Sequence, residues 1–380
     1  MDYVRLGDLI TAAPIVKCGD GTYPVLSMTM HDGIMLQSDR FKKSLASIDQ
    51  SNYKVVSNGQ LVIGFPIDEG VLYVQRVVDK GIMSPAYNVW DINTNLVLPE
   101  YLELALHSPF AMDYYKSKLR GTTARRRTLP TNELLALPVI LPNLDVQKEV
   151  ISTCNKAESL IALRKEQLAK LDQLVKSRFI ELFGDTILNP FGWDKSMLGS
   201  VCDVRDGTHD SPQYYEIGYP LVTSKNVTGG KIDLTDCSLI CKADFDKINE
   251  RSKVDIGDII MPMIGTVGKP VVVDIEPNFA IKNVALIKFK TDSKVLNIYI
   301  RALLQSDYFE DAVLSKVRGG TQKFISLGDI RKLEVLVPPM KIQKQFATFV
   351  EQTDKSKLAI QESLAELEAL KKALMQKYFG

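Results

Sequence analysis

Short hydrophobic runs separated by Gly, Pro, Asn and Asp fill two stretches of the chain, residues 1–143 and 194–338. Runs such as residues 60–64 alternate or are continuously apolar, which predicts the strands of a curled sheet. One helix is expected to interrupt the strands of each stretch, over residues 100–118 in the first and near residues 296–316 in the second. Each stretch is therefore predicted to fold as a strand-rich lobe of mixed α and β structure.

The segments that follow the two lobes, residues 144–184 and 339–380, have a different pattern. From Val146 to Phe183 there is no Pro or Gly, and leucines recur among charged residues at heptad-like spacing. This pattern predicts a helix of about 35 residues, and the second segment predicts a copy of it. The residues expected to pair the two helices are Leu168, Leu171, Val175, Leu364, Leu367 and Leu374.

A narrow apolar stripe needs a partner, and two partners are open: the chain's own lobe, or the other long helix. Because both helices carry the same stripe, pairing with each other is favoured, and a twofold relation would make the pair antiparallel. Gly184 is typical of a helix C-cap, and residues 185–193 are expected to form a linker.

An internal repeat covers nearly the whole chain. The hexapeptide Lys-Leu-Arg-Gly-Thr-Thr that begins at Lys118 corresponds to Lys-Val-Arg-Gly-Gly-Thr from Lys316, and ordered matches at a nearly constant offset run from Leu6 to the last residue. Such a match indicates two copies of one unit. The predicted fold class is therefore α+β, with two pseudo-twofold-related repeats of one lobe and one long helix. The predicted domains are two lobes (1–143 and 194–338), two helical regions (144–184 and 339–380) and the linker.

Composition adds few constraints. Hydrophobic residues make up 45% and charged residues 24% of the 380, as in ordinary soluble globular proteins, and the net charge of +1 means that any basic footprint is local. The sequence has no run of about 18 apolar residues and no signal-peptide pattern, so no membrane association is expected. Five scattered cysteines favour reduced thiols and a cytoplasmic location. Because Cys237 and Cys241 lack a second pair, no metal site is expected.

The motifs of common catalytic sites are missing. Residues 265–269, Gly-Thr-Val-Gly-Lys, are too short for a phosphate loop, and Pro270 replaces its hydroxyl residue, so a turn between two strands is expected. There is no nucleophile elbow, no glycine-rich dinucleotide fingerprint and no carboxylate pair at a spacing that suggests acid–base chemistry. The sequence therefore indicates a binding protein rather than an enzyme.

Basic, polar loops follow the lobe helix in both copies. Lys and Arg neutralise phosphates, Thr hydroxyls fix register, and Arg or Gln can read base edges. Recurrence at equivalent positions favours duplex DNA over a merely solvated charge cluster. The candidate residues are Lys118, Arg120, Thr122, Thr123, Arg125, Arg126 and Arg127 in the first copy, and Arg318, Thr321, Gln322 and Lys323 in the second.

A second candidate DNA surface lies in the second lobe. Asp206-Gly207-Thr208-His209 and the later Thr223–Asn226 stretch are turn-rich and offer short donors and acceptors. Thr208, His209, Lys225 and Asn226 are the candidates there, although ordinary surface loops remain an open alternative.

These residues resemble the specificity subunit of type I restriction–modification systems. The resemblance rests on the order of a lobe, the loop at residues 319–325, Val-Pro-Pro at residues 337–339 and Gln343 opening a long helix, all given twice, and on Asp-Gly-Thr-His in the second lobe. The first copy departs from the pattern: Ala124-Arg125-Arg126 replaces Gln-Lys-Phe, and it has no clear Asp-Gly-Thr-His.

The resemblance implies a specific division of labour. Each lobe would be a target recognition domain that reads one half of an interrupted DNA site, and the antiparallel helices would set the gap. The helices would also bind two modification subunits, which carry S-adenosylmethionine and methylate adenine, and restriction subunits would join the full complex. The chain itself would be non-catalytic and would bind no small cofactor. A recognition subunit of another modification system without cleavage, and a coiled-coil scaffold that binds protein alone, are the alternatives.

Overall fold

The computed structural model describes residues 3–30, 32–40, 49–119, 129–263, 269–312 and 324–380. The chain divides into two compact units. The first unit combines Met1–Lys165 with Glu362–Gly380, and the second unit is Glu166–Gln361. Each unit therefore contains one lobe and a part of each long helix.

The first lobe is built from short strands and helices around one core. Its strands are β1 (Tyr3–Arg5), β2 (Ile10–Ala12), β3 (Leu26–Met28), β4 (Ile34–Leu36), β5 (Lys54–Ser57), β6 (Leu61–Ile63), β7 (Leu72–Val74), β8 (Lys80–Met83), β9 (Asn88–Ile92) and β10 (Pro138–Ile140). Its helices are α1 (Leu6–Leu9), α2 (Gln37–Arg40), α3 (Pro99–Leu106), α4 (Pro109–Lys118) and α5 (Thr131–Leu135), and the long helix α6 (Leu144–Phe183) follows.

The second lobe continues the same plan. Its strands are β11 (Asp194–Met197), β12 (Asp203–Asp206), β13 (Tyr219–Val222), β14 (Val227–Thr228), β15 (Lys231–Ile232), β16 (Ser238–Ile240), β17 (Ile259–Pro262), β18 (Val271–Val272), β19 (Ala280–Ile281), β20 (Val284–Lys288) and β21 (Glu334–Val337). Its helices are α7 (Leu198–Val201), α8 (Lys242–Ser252), α9 (Asn297–Leu304), α10 (Asp307–Ala312) and α11 (Leu327–Arg331), and the long helix α12 (Met340–Phe379) follows.

The sheets repeat between the lobes. The first has an antiparallel sheet in the order β2-β9-β6-β7, and the second has its counterpart in the order β12-β20-β17-β18. In each lobe the first strand pairs antiparallel with the last, β1 with β10 and β11 with β21. The second lobe adds a three-stranded sheet in the order β16-β13-β19. The duplicated topology confirms the predicted fold class of two mixed α and β repeats.

Buried polar anchors are duplicated as well. Tyr101 donates its hydroxyl to Ile140 O at 2.9 Å, and Tyr299 donates to Leu336 O at 3.0 Å. Gln147 and Gln343 are fully buried, and each amide makes three hydrogen bonds to backbone groups, one accepted and two donated. Since buried amides must be satisfied, these side chains fix where each long helix leaves its lobe.

The expectation of one helix within each lobe was wrong: two short helices occupy each position, α3 with α4 and α9 with α10. The break in the first lobe lies at Ser108, whose hydroxyl oxygen accepts from Ala111 N at 3.2 Å as an N-cap, and Pro109 starts the next helix. Proline has no amide hydrogen to continue the preceding helix.

The long helices run antiparallel within each unit. In the first unit Lys371 pairs with Glu158 at 2.8 Å, and Arg164 donates to Ser363 at 3.2 Å. In the second unit Lys357 pairs with Asp172 at 2.6 Å. As residue numbers increase along α6, the numbers of their partners on α12 decrease, so the two helices are antiparallel, as the sequence predicted.

Pairing of the helices does not exclude packing onto the lobes, and both occur. Val150 of α6 and Phe379 of α12 lie in the core of the first unit, whereas Phe183 of α6 and Phe346 of α12 lie in the core of the second. Each lobe is therefore closed by the start of its own helix and by the end of the other. Along the described helices, none is both long and apolar enough to cross a membrane.

Candidate nucleic-acid interface

Most of the predicted basic-loop residues lie outside the described residues. Lys118, the last residue of α4, is described: its ammonium lies 3.5 Å from Glu133 and 5.9 Å from the centre of the Tyr114 ring. Both side chains of this ion pair reach solvent, so the pair adds little stability. The undescribed candidates are Arg120, Thr122, Thr123, Arg125, Arg126, Arg127, Arg318, Thr321, Gln322 and Lys323.

The Asp-Gly-Thr-His stretch forms a tight turn at the end of β12. Thr208 N donates to Ile281 O at 3.0 Å, and Asn283 N donates to Thr208 O at 3.2 Å. A Cβ atom on Gly207 would lie 2.3 Å from Ile281 O, so the backbone approach requires glycine. The turn is therefore held against the neighbouring strand by its backbone, and it presents the exposed side chain of His209.

A network of charged and polar side chains fixes His209. Its Nε2 lies 2.9 Å from Asp206 Oδ2, and its Nδ1 lies 2.9 Å from Asn283 Oδ1. The buried carboxylate of Asp206 also accepts from Arg251. Hydrogen bonds to Asn283 and then to Asp206 raise the pKa of His209 above its ordinary value. Both ring nitrogens face acceptors, so the imidazolium, with two N–H donors, fits the turn best.

Asn226 has a structural place in the second turn, between β13 and β14. It is buried, its Oδ1 accepts from Thr223 N at 3.0 Å, and its Nδ2 donates to Asp236 O at 3.3 Å. Lys225 beside it is exposed. Of these two candidates, Lys225 is the one whose side chain faces solvent.

Sequence reasoning missed Arg251, Asn283 and Lys282 as parts of this surface. Lys282 is nearly buried, and its ammonium donates to Ser211 at 2.7 Å. These residues lie far from the turn in sequence and meet it only through α8 and the segment before β20, so no local pattern marks them. The positive φ of Asn283, 55°, is a local signal, but it is visible only in the structure.

The predicted helix-pairing residues are largely shielded from solvent along α6 and α12, and Val175 packs against the core of the second unit. By contrast, Leu174 and Leu370, at equivalent positions of the two helices, are 49% and 50% exposed. Among the residues the structure describes, no group of three or more His, Cys, Asp or Glu side chains is arranged to hold a metal ion.

A duplicated chain with two paired helices and a polar turn that fixes His209 is the arrangement that the sequence predicted for a DNA-recognition subunit. Comparison with known proteins agrees. Residues 190–370 match the family model described as the type I restriction modification DNA specificity domain. The MjaVIII specificity subunit of Methanocaldococcus jannaschii is 23% identical over 98% of this chain and 91% of its own length. The EcoKI specificity subunit of Escherichia coli is 24% identical over 47% of this chain and 40% of its own length.

Solved structures share the fold. A chain from the study "Structural basis underlying complex assembly and conformational transition of the type I R-M system" matches with a TM-score of 0.60 and 21% identity, over 100% of this chain and 97% of that one. The type I system S subunit from M. genitalium matches with a TM-score of 0.55 and 14% identity, over 100% and 96%. Over nearly its whole length, the chain is thus similar to specificity subunits of type I restriction–modification systems, and residues 190–370 match their DNA specificity domain.

Proposed function

We propose that each lobe reads one half of an interrupted DNA site and that the paired helices set the gap between the halves. The observation that carries this proposal is duplication with divergence. The buried anchors Tyr101 and Gln147 recur as Tyr299 and Gln343, whereas the tetrapeptide Asp-Gly-Thr-His occurs in the sequence only at Asp206, in the second lobe. Two different readers on one repeated scaffold suit an asymmetric site, as two equal readers suit a palindrome.

The helix part of this proposal is tested by changing helix length. Seven residues inserted into both α6 and α12, near the middle of each, keep the heptad stripe in phase. The methylated site should keep both half-sequences and gain a longer gap. The same insertion in α6 alone is the control, since it removes the register between the helices and should abolish methylation. An unchanged gap in the double insertion would remove the spacer role.

The basic loops are proposed to hold phosphates. Arg120 and Arg318 occupy equivalent positions, and Lys118 leads into the first loop with an ammonium that is half exposed. Arg120→Ala and Arg318→Ala should each weaken binding to all DNA sequences alike and lower the salt dependence by about one phosphate contact. Titration of the complex with its modification subunits onto duplex DNA at several salt concentrations measures this. Unchanged affinity and slope in both variants would leave the loops as solvated surface.

Gln322, Lys323 and the turn at Thr208 and His209 are proposed to contact bases or adjacent phosphates. A base contact differs from a phosphate contact because its loss relaxes preference at one position, by about 1–3 kcal/mol. The same titration, repeated with single-base variants of the site, separates the two roles.

The exposed leucines suggest where two modification subunits dock. Leu174 and Leu370 are equivalent in the repeat and half exposed, so they offer two similar apolar contacts on two helices. Leu174→Asp and Leu370→Asp should each remove one modification subunit from the assembly, and the double variant should remove both. Native mass spectrometry of the complex measures the stoichiometry. Leu160→Asp is the control, because the repeat has serine, Ser356, at its counterpart.

We further propose that the chain is a non-catalytic subunit that acts in the cytoplasm and is joined by restriction subunits in the complete complex. The division of labour follows the family resemblance. Complex reconstituted without this chain should neither methylate nor cut DNA, and adding it should restore both activities at one sequence. Methylation without cleavage after all subunits are supplied would favour a recognition subunit of a modification-only system.

A further inference from the structure

An exposed segment of the second lobe follows directly after the His209 turn. Residues 210–218, here called the tyrosine segment, have the sequence Asp-Ser-Pro-Gln-Tyr-Tyr-Glu-Ile-Gly. Its large side chains face solvent: Tyr214 is 50%, Tyr215 44% and Ile217 89% exposed. Three neighbouring apolar or aromatic groups in water mark an interaction surface more often than scattered single ones do.

The tyrosine segment is held in place despite this exposure by one side-chain contact and two backbone contacts. At its start, Ser211 Oγ accepts from Lys282 Nζ at 2.7 Å. In its middle, Tyr215 N donates to Leu239 O at 3.0 Å, so the segment adds to the edge of β16. At its end, a Cβ atom on Gly218 would lie 2.2 Å from Ile240 O, which requires glycine for this approach. A surface that is fixed before binding loses less conformational entropy when a partner arrives.

The chemistry of the tyrosine segment suits bases rather than phosphates. Residues 210–218 contain no Lys or Arg, so they cannot neutralise a DNA backbone. They do contain the groups that read base edges: an aliphatic side chain for the thymine methyl group, carboxylates for the cytosine amino group and an amide for adenine.

Cations lie beside the segment rather than within it. His209 precedes it, and its raised pKa favours the positive form. Lys282 links the segment to β13: its ammonium donates to Ser211, and its backbone N–H donates to Val222 O. Lys225, three residues after Val222, is exposed. In protein–DNA interfaces, contacts to DNA phosphates position the protein, and separate contacts to bases read the sequence. Cationic side chains beside a segment that has no Lys or Arg fit this arrangement.

We propose that the tyrosine segment enters a groove of duplex DNA and reads bases in the half-site of the second lobe, with Ile217 against a thymine methyl group and Glu216 accepting from a cytosine amino group. This inference rests on the proposed function of one half-site for each lobe. It assigns base recognition to residues outside the basic loops and outside the turn at Thr208.

The test uses the full complex with its modification subunits and the variants Ile217→Ala and Glu216→Gln. Matched controls in the same lobe are Ile256→Ala, 63% exposed, and Glu250→Gln. Both controls line a cleft that includes none of residues 210–218. Affinity is measured for a set of duplexes with every position of the wild-type site varied, at several salt concentrations.

We expect Ile217→Ala and Glu216→Gln each to lose about 5- to 150-fold of discrimination at one or two positions of a single half-site. The salt slope and the preference in the other half should stay at the wild-type values, and both controls should behave as wild type. Unchanged melting temperatures would show that the variants fold.

Four outcomes would overturn the inference. If a wild-type complex discriminates in both halves and the two variants keep every preference, the tyrosine segment does not read bases, and the proposed function stands. A salt slope reduced by about one contact, with preferences intact, would make it a phosphate contact. Loss of self-association in Ile217→Ala, with preferences intact, would assign the segment to a second copy of the chain. A wild-type complex with no sequence preference would instead overturn the proposed function and this inference with it.

Discussion

The ring of Phe183 lies 4.6 Å from the ring of Tyr299, and both are buried in the core of the second unit. Phe183 ends the helix that begins after the first lobe, whereas Tyr299 belongs to the second lobe. The first unit has the equivalent contact, between Phe379 and Tyr101, with the ring centres 5.2 Å apart. Each lobe core is therefore completed by a helix end from the other copy, so the second lobe depends on residues encoded before it begins.

This interlocking predicts a large effect of truncating the helix ends. Phe183→Ala and Phe379→Ala should each lower the free energy of unfolding by about 3–5 kcal/mol, the usual cost of a large cavity in a core. Denaturant unfolding of the full chain measures it. Phe191→Ala is the control, because that ring is 53% exposed. Equal unfolding midpoints for Phe183→Ala and Phe191→Ala would mean that the helix end does not hold the lobe.

The buried amides predict a second stability effect. Gln343→Ala leaves Leu296 N and two backbone carbonyls without the partners that Gln343 supplies. An unsatisfied buried group costs about 1–3 kcal/mol, so the loss of stability should reach at least that range. Gln345→Ala, two residues along the same helix and exposed, is the control. A Gln343→Ala chain as stable as Gln345→Ala would rule out the anchoring role.

Much of the fold could be predicted from the sequence because its signals are local or repeated. The sequence has no Pro or Gly from Val146 to Phe183, which predicted the long helix, and Gly184 predicted its end. In the structure, α6 runs from Leu144 to Phe183, and Gly184 has a φ of 77°. The break at Ser108 and Pro109 was missed because an apolar pattern continues through it. Cap and proline chemistry, not hydrophobic period, determines that boundary.

The leucine stripe yields a prediction that separates the two faces of α6. Leu171 is largely shielded from solvent, whereas the side chain of Leu174 on the same helix is 49% exposed. Leu171→Asp should destabilise the chain by about 1–3 kcal/mol because it places a polar carboxylate in a partly buried apolar seam, and Leu367→Asp should do the same from α12. Leu174→Asp should leave the melting temperature near wild type. Wild-type melting in both Leu171→Asp and Leu367→Asp would show that the stripes form no shared seam.

The site was less predictable than the fold. Asp206, Thr208 and His209 stand together in sequence and were found as one motif, but their partners Arg251 and Asn283 come from segments far along the chain. Asn226 was chosen for its polar side chain, yet it is buried and closes its own turn. Composition shows which groups are available, and only tertiary packing decides which of them face a ligand.

His209 gives a prediction about pH. Its pKa is raised by the hydrogen bonds to Asn283 and Asp206, so the folded chain favours the protonated ring. Any stability from this preference is fully present at pH values below the histidine pKa in the unfolded chain, about 6.5, and is lost as the pH rises through the higher pKa in the folded chain. Asp206→Asn should lower the pKa of His209, because it removes the carboxylate that accepts from the ring.

Histidine-labelled NMR measures this titration directly, since the chain has only three histidines. The signals of the other two histidines serve as an internal reference when wild type and Asp206→Asn are compared. A His209 pKa at the ordinary value in the wild-type chain, or one that Asp206→Asn leaves unchanged, would contradict the network described here.

The central claim is that one lobe reads one half-site, and exchange of the second lobe tests it most directly. Residues 197–337 are replaced by the corresponding lobe of a relative that keeps a tyrosine at the position of Tyr299, so that Phe183 still finds its partner. The methylated motif is then read across the genome of the host with wild-type or exchanged chain. We predict a new sequence in one half of the motif, with the other half and the gap unchanged. A change in both halves, or in neither, would contradict the account.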